Sequence, residues 1–167
     1  MTSPPTNPVW TIRDAGAADH AAIQLMNDGI QQAELDLVGY PMLPPDQLPP
    51  AYLAEMLAGD PERHSELLVC EADGRVVGFL SGHASEDRDS LVEPEFNSFA
   101  LVSDLFVDAD YRAQGVAQAL LAEFAARMRA KGFKWLRIYA KSRNRKAIDA
   151  YLRFGFEPYE QTFFKPL

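Results

Sequence analysis

The stretch Arg112-Ala113-Gln114-Gly115-Val116-Ala117 holds residue types suited to binding an anion. It lies between an apolar run, Phe99 to Val107, that reads as a strand, and an amphipathic segment from Gln114 that reads as a helix. Unpaired N–H groups and the positive end of a helix dipole converge at such a junction. Gly115 lets an anion approach the backbone with no Cβ in the way, and Ala117 keeps the next turn slim. Arg112 can add a charge-assisted contact. No Gly-Lys-Ser/Thr follows, so this is not a P-loop, and it lacks the Gly-x-Gly-x-x-Gly of dinucleotide folds. On its own, Arg-x-x-Gly-x-Ala also fits a glycine that merely caps a helix.

Asp104 is the second residue of chemical interest, because it interrupts an otherwise apolar strand. Burying a carboxylate is costly unless it has a task or a partner. An ion pair with Arg137 is the alternative to a working carboxylate. His83 ends a strand next to an acidic stretch and is a lesser candidate base, while His20 and His64 have no acidic partner at metal-ligand spacing. With one cysteine, Cys70, inside the apolar run Leu67-Leu68-Val69-Cys70, no disulfide framework and no metal site is expected. No Gly-x-Ser-x-Gly supports a serine nucleophile.

The elements that must position these residues follow from periodicity. Val9 to Ile12 is a short strand, and a helix from about Ala18 carries Ile23, Leu25 and Met26. Tyr40 to Pro50 holds five prolines and reads as a stiff internal loop, followed by a short helix over Ala51 to Ala58. Ser65–Glu71 and Arg75–His83 form a hairpin closed at Asp73-Gly74. Glu86 to Asn97 is acidic and aperiodic, which predicts a mobile loop. The helix from Gln114 to Lys131 presents Ala117, Leu120, Leu121, Phe124 and Met128 on one face, and Gly132 stands where a C-terminal cap belongs. Trp135–Ala140 is a strand, and Asn144 caps a helix with Ala147, Ile148, Tyr151 and Leu152 inward, ended by Gly155. Phe156–Pro158 and Thr162–Lys165 read as two last strands. The alternation of strands and helices predicts a mixed α/β sheet.

The chain's 167 residues suit a single domain, residues 9–167, behind a flexible Pro-rich tail at 1–8. No apolar run approaches the roughly 18 residues that cross a membrane, and the start has no signal-peptide pattern, so a cytoplasmic location with no membrane partner is expected. The net charge of −8 divides unevenly. Residues 1–111 hold four basic and twenty acidic residues, a net of −16, whereas residues 112–167 hold twelve basic and four acidic, a net of +8. Either the surface is simply uneven, or a basic half holds an anionic cofactor while an acidic half attracts a cationic substrate. Nucleic acid is disfavoured as a partner because most of the chain would repel it.

The run from Asp104 to Ala117 resembles the coenzyme A-binding motif of the GNAT superfamily of N-acetyltransferases: a strand, then Gln/Arg-x-x-Gly-x-Gly/Ala, then an amphipathic helix. A second motif of the family follows at the expected distance, Asn144-x-x-Ala147-x-x-x-Tyr151-x-x-x-Gly155-Phe156. The resemblance implies an α/β (α+β) fold with a central mixed, mostly antiparallel sheet, a splayed strand pair and about four flanking helices. It implies acetyl-CoA as cosubstrate and no metal. The strand before the loop would carry a bulge, and the pantetheine arm would bond to main-chain groups of Leu105, Phe106 and Val107, one N–H polarising the thioester carbonyl. Pyrophosphate would sit on the amides of Ala113, Gln114, Gly115, Val116 and Ala117, with Arg112 alongside. Asn144 stands where the arm is often bonded, or serves as a plain helix cap.

Tyr151 matches the tyrosine that protonates the departing thiolate in many relatives; the alternative is a core tyrosine with its hydroxyl satisfied locally. Asp104 is then the first candidate for general base. Some relatives carry a glutamate base where this chain has Tyr139. The acceptor pocket of the family is built by the first helices, their connection and the ends of the middle strands, which here points to the loops Tyr40–Pro50 and Glu86–Glu95. Their charge fits a cationic small-molecule amine, attacked directly in a ternary complex. A protein N-terminal or lysine acetyltransferase and a non-catalytic acyl-CoA sensor are the rivals. Relatives are often dimers, so a homodimer is one expected assembly, with Trp10, Phe163 and Phe164 open to core or interface roles.

Overall fold

In the computed structural model, which describes residues 10–165 and 167, a β-hairpin organises the first half of the chain. Its strands are β2 (Glu66–Ala72) and β3 (Arg75–Glu86). Asp73 and Gly74 both take left-handed φ angles, 49° and 72°, the backbone that matches a two-residue turn to the twist of its strands. β1 (Trp10–Asp14) pairs with the outer side of β2, and β4 (Ser98–Val107) with β3, all antiparallel. The fifth strand, β5 (Leu136–Ile138), runs parallel to β4, giving the order β1-β2-β3-β4-β5. Four helices flank the sheet: α1 (His20–Val38), α2 (Pro50–Ala58), α3 (Val116–Ala130) and α4 (Arg145–Arg153).

The two faces of the sheet are covered very differently. On one, Leu120, Leu121, Phe124 and Met128 of α3 pack on Leu68, Cys70, Leu80, Ala100 and Val102. Gly82 permits this contact, since a Cβ there would lie 2.5 Å from Phe124 and 2.7 Å from the Leu101 carbonyl. Cys70 is fully buried here, and burial pushes its thiol up to about 11, so it behaves as a small apolar side chain. On the other face, Ile23 and Met26 of α1 cover Val69 and Phe79, while α2 contributes only the partly buried Met56 and Leu57.

Ion pairs fasten the sealed face at its rim. Arg127 of α3 meets Asp14, Glu66 and Glu123, and Lys131 joins it on Glu66. Lys134 pairs with Glu95. Arg137 pairs with Asp87, donates to the Phe96 carbonyl and lies 3.7 Å from the centre of the Phe99 ring. Part of the positive charge of the second half is therefore structural.

Three expectations change. Phe156–Pro158 and Thr162–Lys165 form no strands, because a strand needs a ladder partner and nothing among the described residues pairs with them; Phe163 and Phe164 are 87% and 71% exposed. β5 is shorter than Trp135–Ala140, since the pairing with β4 ends after three residues. The acidic segment 86–97 is not loop throughout: Glu86 ends β3, Pro94–Asn97 forms a 3-10 turn, Asp87 N–H donates to the Asn97 carbonyl at 2.8 Å, and the Asn97 amide donates to the Asp89 carbonyl. The expected tail at 1–8, together with Val9, lies outside the described residues. Among the described residues no helix is long and apolar enough to cross a membrane, and no group of three or more His, Cys, Asp or Glu is arranged to hold a metal.

Candidate active site

A single bulge in β4 sets the geometry. Ser81 of β3 stands opposite Asp104, yet the next residue, Gly82, stands opposite Val102, so Ser103 is an extra residue in its strand. Side chains alternate along a strand, and one extra residue reverses the alternation beyond it. Ala100 and Val102 pack with the α3 core; past the bulge, Leu105 and Val107 continue on that side. Asp104 and Phe106 are thereby turned to the face covered by α1 and α2. Without the bulge Asp104 would point into the apolar α3 core, where its carboxylate would have no partner.

The same bulge sets the main-chain directions. Ala100 N–H donates to the Trp135 carbonyl toward β5, and Asp108 N–H donates to the Val77 carbonyl toward β3. Counting back from Asp108, the groups of Leu105 and Val107 face away from β3. The ladder to β5 extends only from Ala100 to Val102, so those groups border a gap between two splayed strands. The Val107 carbonyl accepts from Arg112 Nε at 2.9 Å, which ties the arginine to the end of β4.

That gap opens into a cleft of about 480 Å³, walled by α1, by Tyr52 of α2, by Ser103–Phe106, by residues 138–141 at and beyond the end of β5, and by α4. Its key acid, Asp104, is only 8% exposed. Ser81 Oγ donates to Asp104 Oδ2 at 2.7 Å, and Tyr52 OH donates to Oδ1 at 3.3 Å. Burial holds the Asp104 carboxyl above the usual carboxylate range, and the two donors offset part of that rise. The expected alternative, an Asp104–Arg137 pair, is not formed, because Arg137 is engaged with Asp87 and the Phe96 carbonyl.

Tyr151 of α4 lines the same cleft, with its ring 5.9 Å from that of Phe156. Among the described residues its hydroxyl makes no protein hydrogen bond, in contrast to a locally satisfied core tyrosine. Burial, and then the nearby negative charge of Glu34, raise its pKa above the ordinary phenol value. Asn144 caps α4 as expected, its Oδ1 accepting from Ala147 N–H at 3.1 Å, and the residue also lines the cleft.

The anion loop departs from expectation in one respect. α3 begins at Val116 rather than Gln114, because Gly115 has φ 84°, which no helix contains, and Ala113 is also left-handed at 58°. Gly115 is thus the helix N-cap and has no side chain to satisfy the first turn. The first hydrogen bond of α3 is Ala119 N–H to the Gly115 carbonyl, so the N–H groups of Val116, Ala117 and Gln118 precede the helical ladder. A Cβ on Gly115 would find only Trp10, 4.0 Å away, so the side of the loop is open. The Val116 side chain itself is buried in the α3 core, and the Gln114 amide donates to the Asp110 carbonyl at 2.6 Å.

Sequence reasoning missed Tyr52, Ser81 and Glu34. Glu34 lines the cleft from α1, with Lys141 Nζ at 3.8 Å. Ser81 carries no local signal at all, because it meets Asp104 only through strand register. Conversely, no residue of Tyr40–Pro50 or Glu86–Glu95 lines the cleft; the helices themselves build that wall. Tyr139 lines it but is largely exposed, and His83 Nδ1 lies 3.2 Å from Ser103 Oγ, its pKa lowered by burial and by Arg63.

The chain belongs to the acetyltransferase (GNAT) family, whose model matches residues 31–156. It is 30% identical over 92 residues to an uncharacterised N-acetyltransferase of Methanocaldococcus jannaschii, a match covering 55% of this chain and 39% of that protein. To N-acetyltransferase 8 of Homo sapiens it is 31% identical over 103 residues, covering 62% and 43%. The chain thus spans less than half the length of these curated relatives. Among solved structures, the aminoglycoside N-acetyltransferase AAC(6')-Iy in complex with CoA superposes with a TM-score of 0.70 at 18% identity, covering 94% of this chain and 98% of that one. A mutant protein of Bacillus halodurans reaches 0.80 at 19% identity, covering 94% and 99%. These two likenesses concern the fold.

Proposed function

We propose that this chain transfers an acetyl group from acetyl-CoA to a primary amine of a cationic small molecule, by direct attack within one ternary complex. The observation that carries the reading is one cleft bounded by a buried carboxylate, Asp104, a tyrosine hydroxyl with no hydrogen-bond partner among the described residues, Tyr151, and the open main-chain edge of β4. The cosubstrate supplies an activated acetyl thioester. Three features fit it: the uncapped first turn of α3, the open side of Gly115, and the Leu105 and Val107 groups facing the gap. Arg112, held at the end of β4, supplies positive charge beside them.

The residues of the cleft divide the proton work. An alkyl ammonium has a pKa near ~10, so freeing the amine at pH 7 costs about 4 kcal/mol. Asp104, with its affinity for protons raised by burial, is suited to take that proton, directly or through a water. Tyr151 is suited to give its proton to the departing sulfur, and burial and Glu34 keep it protonated in the neutral range. Glu34 and Asp104 place two carboxylates in the cleft wall near Tyr52, with Lys141 Nζ 3.8 Å from Glu34, and carboxylates there support a cationic acceptor. The likeness to aminoglycoside acetyltransferases supports a small-molecule amine in the same way.

Release of free thiol from acetyl-CoA, followed across a panel of amines and peptides, tests the reading. Turnover is expected with cationic small amines. Tyr151→Phe should lower kcat on the order of 100-fold with coenzyme A affinity close to wild type. Tight coenzyme A binding without transfer to any amine would favour an acyl-CoA sensor instead.

A further inference from the structure

The Asp104 carboxylate presents its two oxygens to different parts of the protein. Oδ2 accepts from Ser81, a 5% exposed residue of the neighbouring strand that does not line the cleft. Oδ1 accepts from Tyr52, which does line it. Oδ1 is therefore the oxygen on the side from which an acceptor approaches. Tyr52 is brought there by α2, a helix with no fully buried residue that touches the core through Met56 and Leu57. Its hydroxyl lies in turn 3.4 Å from Gln31 Nε2 of α1. The chain Gln31–Tyr52–Asp104–Ser81 links four elements, α1, α2, β4 and β3, around one carboxylate.

We propose that Ser81 and Tyr52 are positioning residues for Asp104, with Ser81 fixing its orientation and Tyr52 coupling it to the wall that receives the acceptor. This rests on the reading of Asp104 as the base. Neither residue belongs to the motifs that identify the family, and neither touches the reacting atoms in this assignment. Each hydroxyl donates to the carboxylate and so favours its charged form against the cost of burial. The shorter bond from Ser81 is the stronger orienting contact, and the longer one from Tyr52 is the one an incoming ammonium can share or replace. The other charged and titratable groups lining the cleft are Glu34 from α1, Arg112, Tyr139, Lys141, and Tyr151 from α4, and His83 lies beside the bulge at Ser103.

The test is the pH dependence of kcat/KM for an accepted amine in wild type, Ser81→Ala, Ser81→Thr, Tyr52→Phe and Asp104→Asn. In wild type, activity should fall as pH drops and Asp104 takes up a proton. Loss of a donor makes protonation easier, so the acidic limb should move to higher pH. The expected shift is roughly one to two pH units for Ser81→Ala and about one or less for Tyr52→Phe. Ser81→Thr should restore the wild-type limb, and Tyr52→Phe should also raise the acceptor KM while leaving that for acetyl-CoA unchanged. Acidic limbs at the wild-type pH in both Ser81→Ala and Tyr52→Phe would overturn the proposal, whatever their effect on rate or thermal stability. If Asp104→Asn keeps the wild-type pH profile, the base assignment falls and this proposal with it. If Asp104→Asn abolishes the limb while the other two leave it in place, the positioning roles alone are wrong.

Discussion

The two faces of the sheet make a direct comparison. Among the described residues, the α3 face gathers thirteen buried residues into one apolar cluster, whereas the α1/α2 face gathers four. Phe124 is seated against a glycine that leaves it no spare space, while α2 rests on two partly buried side chains and carries Tyr52 over a polar cleft. One face is a closed core that holds the strands in register. The other tolerates a buried carboxylate because serine and tyrosine hydroxyls reach it and solvent can enter beside it. The closed core and the candidate site are thus separated by the thickness of one sheet, and β4 belongs to both sides.

The sharpest way to break this division is to empty the closed face. Phe124→Ala should cost about 3–5 kcal/mol of stability, measured by urea unfolding, because it deletes a fully buried ring from a packed site. If the division holds, the acceptor KM of the folded fraction stays at the wild-type value; a large change would show that the cleft depends on α3 packing.

Asp104→Asn probes the open face with a smaller effect on stability, of opposite sign. Burial raises the folded-state pKa of Asp104 above the ordinary carboxylate value, so folding binds a proton between the unfolded and folded values. Wild-type stability therefore falls as pH rises through that window, and the amide variant avoids the loss. The variant should unfold about 2–4 °C above wild type at pH 8, the shift that roughly 1 kcal/mol gives a domain of this size, with no gain near pH 4. Equal midpoints at both pH values would mean that Asp104 is well solvated.

Glu34→Gln should give the smallest effect. The acceptor KM should rise about 2–5-fold for cationic amines, less at high salt, with the acetyl-CoA KM unchanged. Because Glu34 helps to raise the Tyr151 pKa, its removal should also move the alkaline limb of the pH profile to lower pH. An unchanged KM and limb would separate Glu34 from the acceptor.

Much of the fold was legible because its signals are local. The Asp73-Gly74 turn, the period of Leu120, Leu121, Phe124 and Met128, and the Asn144 cap each depend on a few neighbours in sequence. The terminal strands failed for the same reason in reverse: Thr162-Phe163-Phe164 has strand composition, but pairing is supplied by a partner, and none is present among the described residues. The cleft was half legible. Arg112, Gly115, Asn144 and Tyr151 lie in motifs with fixed spacing, whereas Tyr52, Ser81 and Glu34 come from three elements that no spacing rule connects.

By itself, then, the sequence determined the order of elements, the glycine-led helix start suited to an anion, and the family. Only the tertiary structure decided what Asp104 does not do, which is pair with Arg137, and what surrounds it instead. The physical reason is the extra residue at Ser103, which reverses side-chain alternation in β4 and turns Asp104 from the closed core toward Ser81 and Tyr52. A bulge is a property of two paired strands, so it is settled only when β3 and β4 meet.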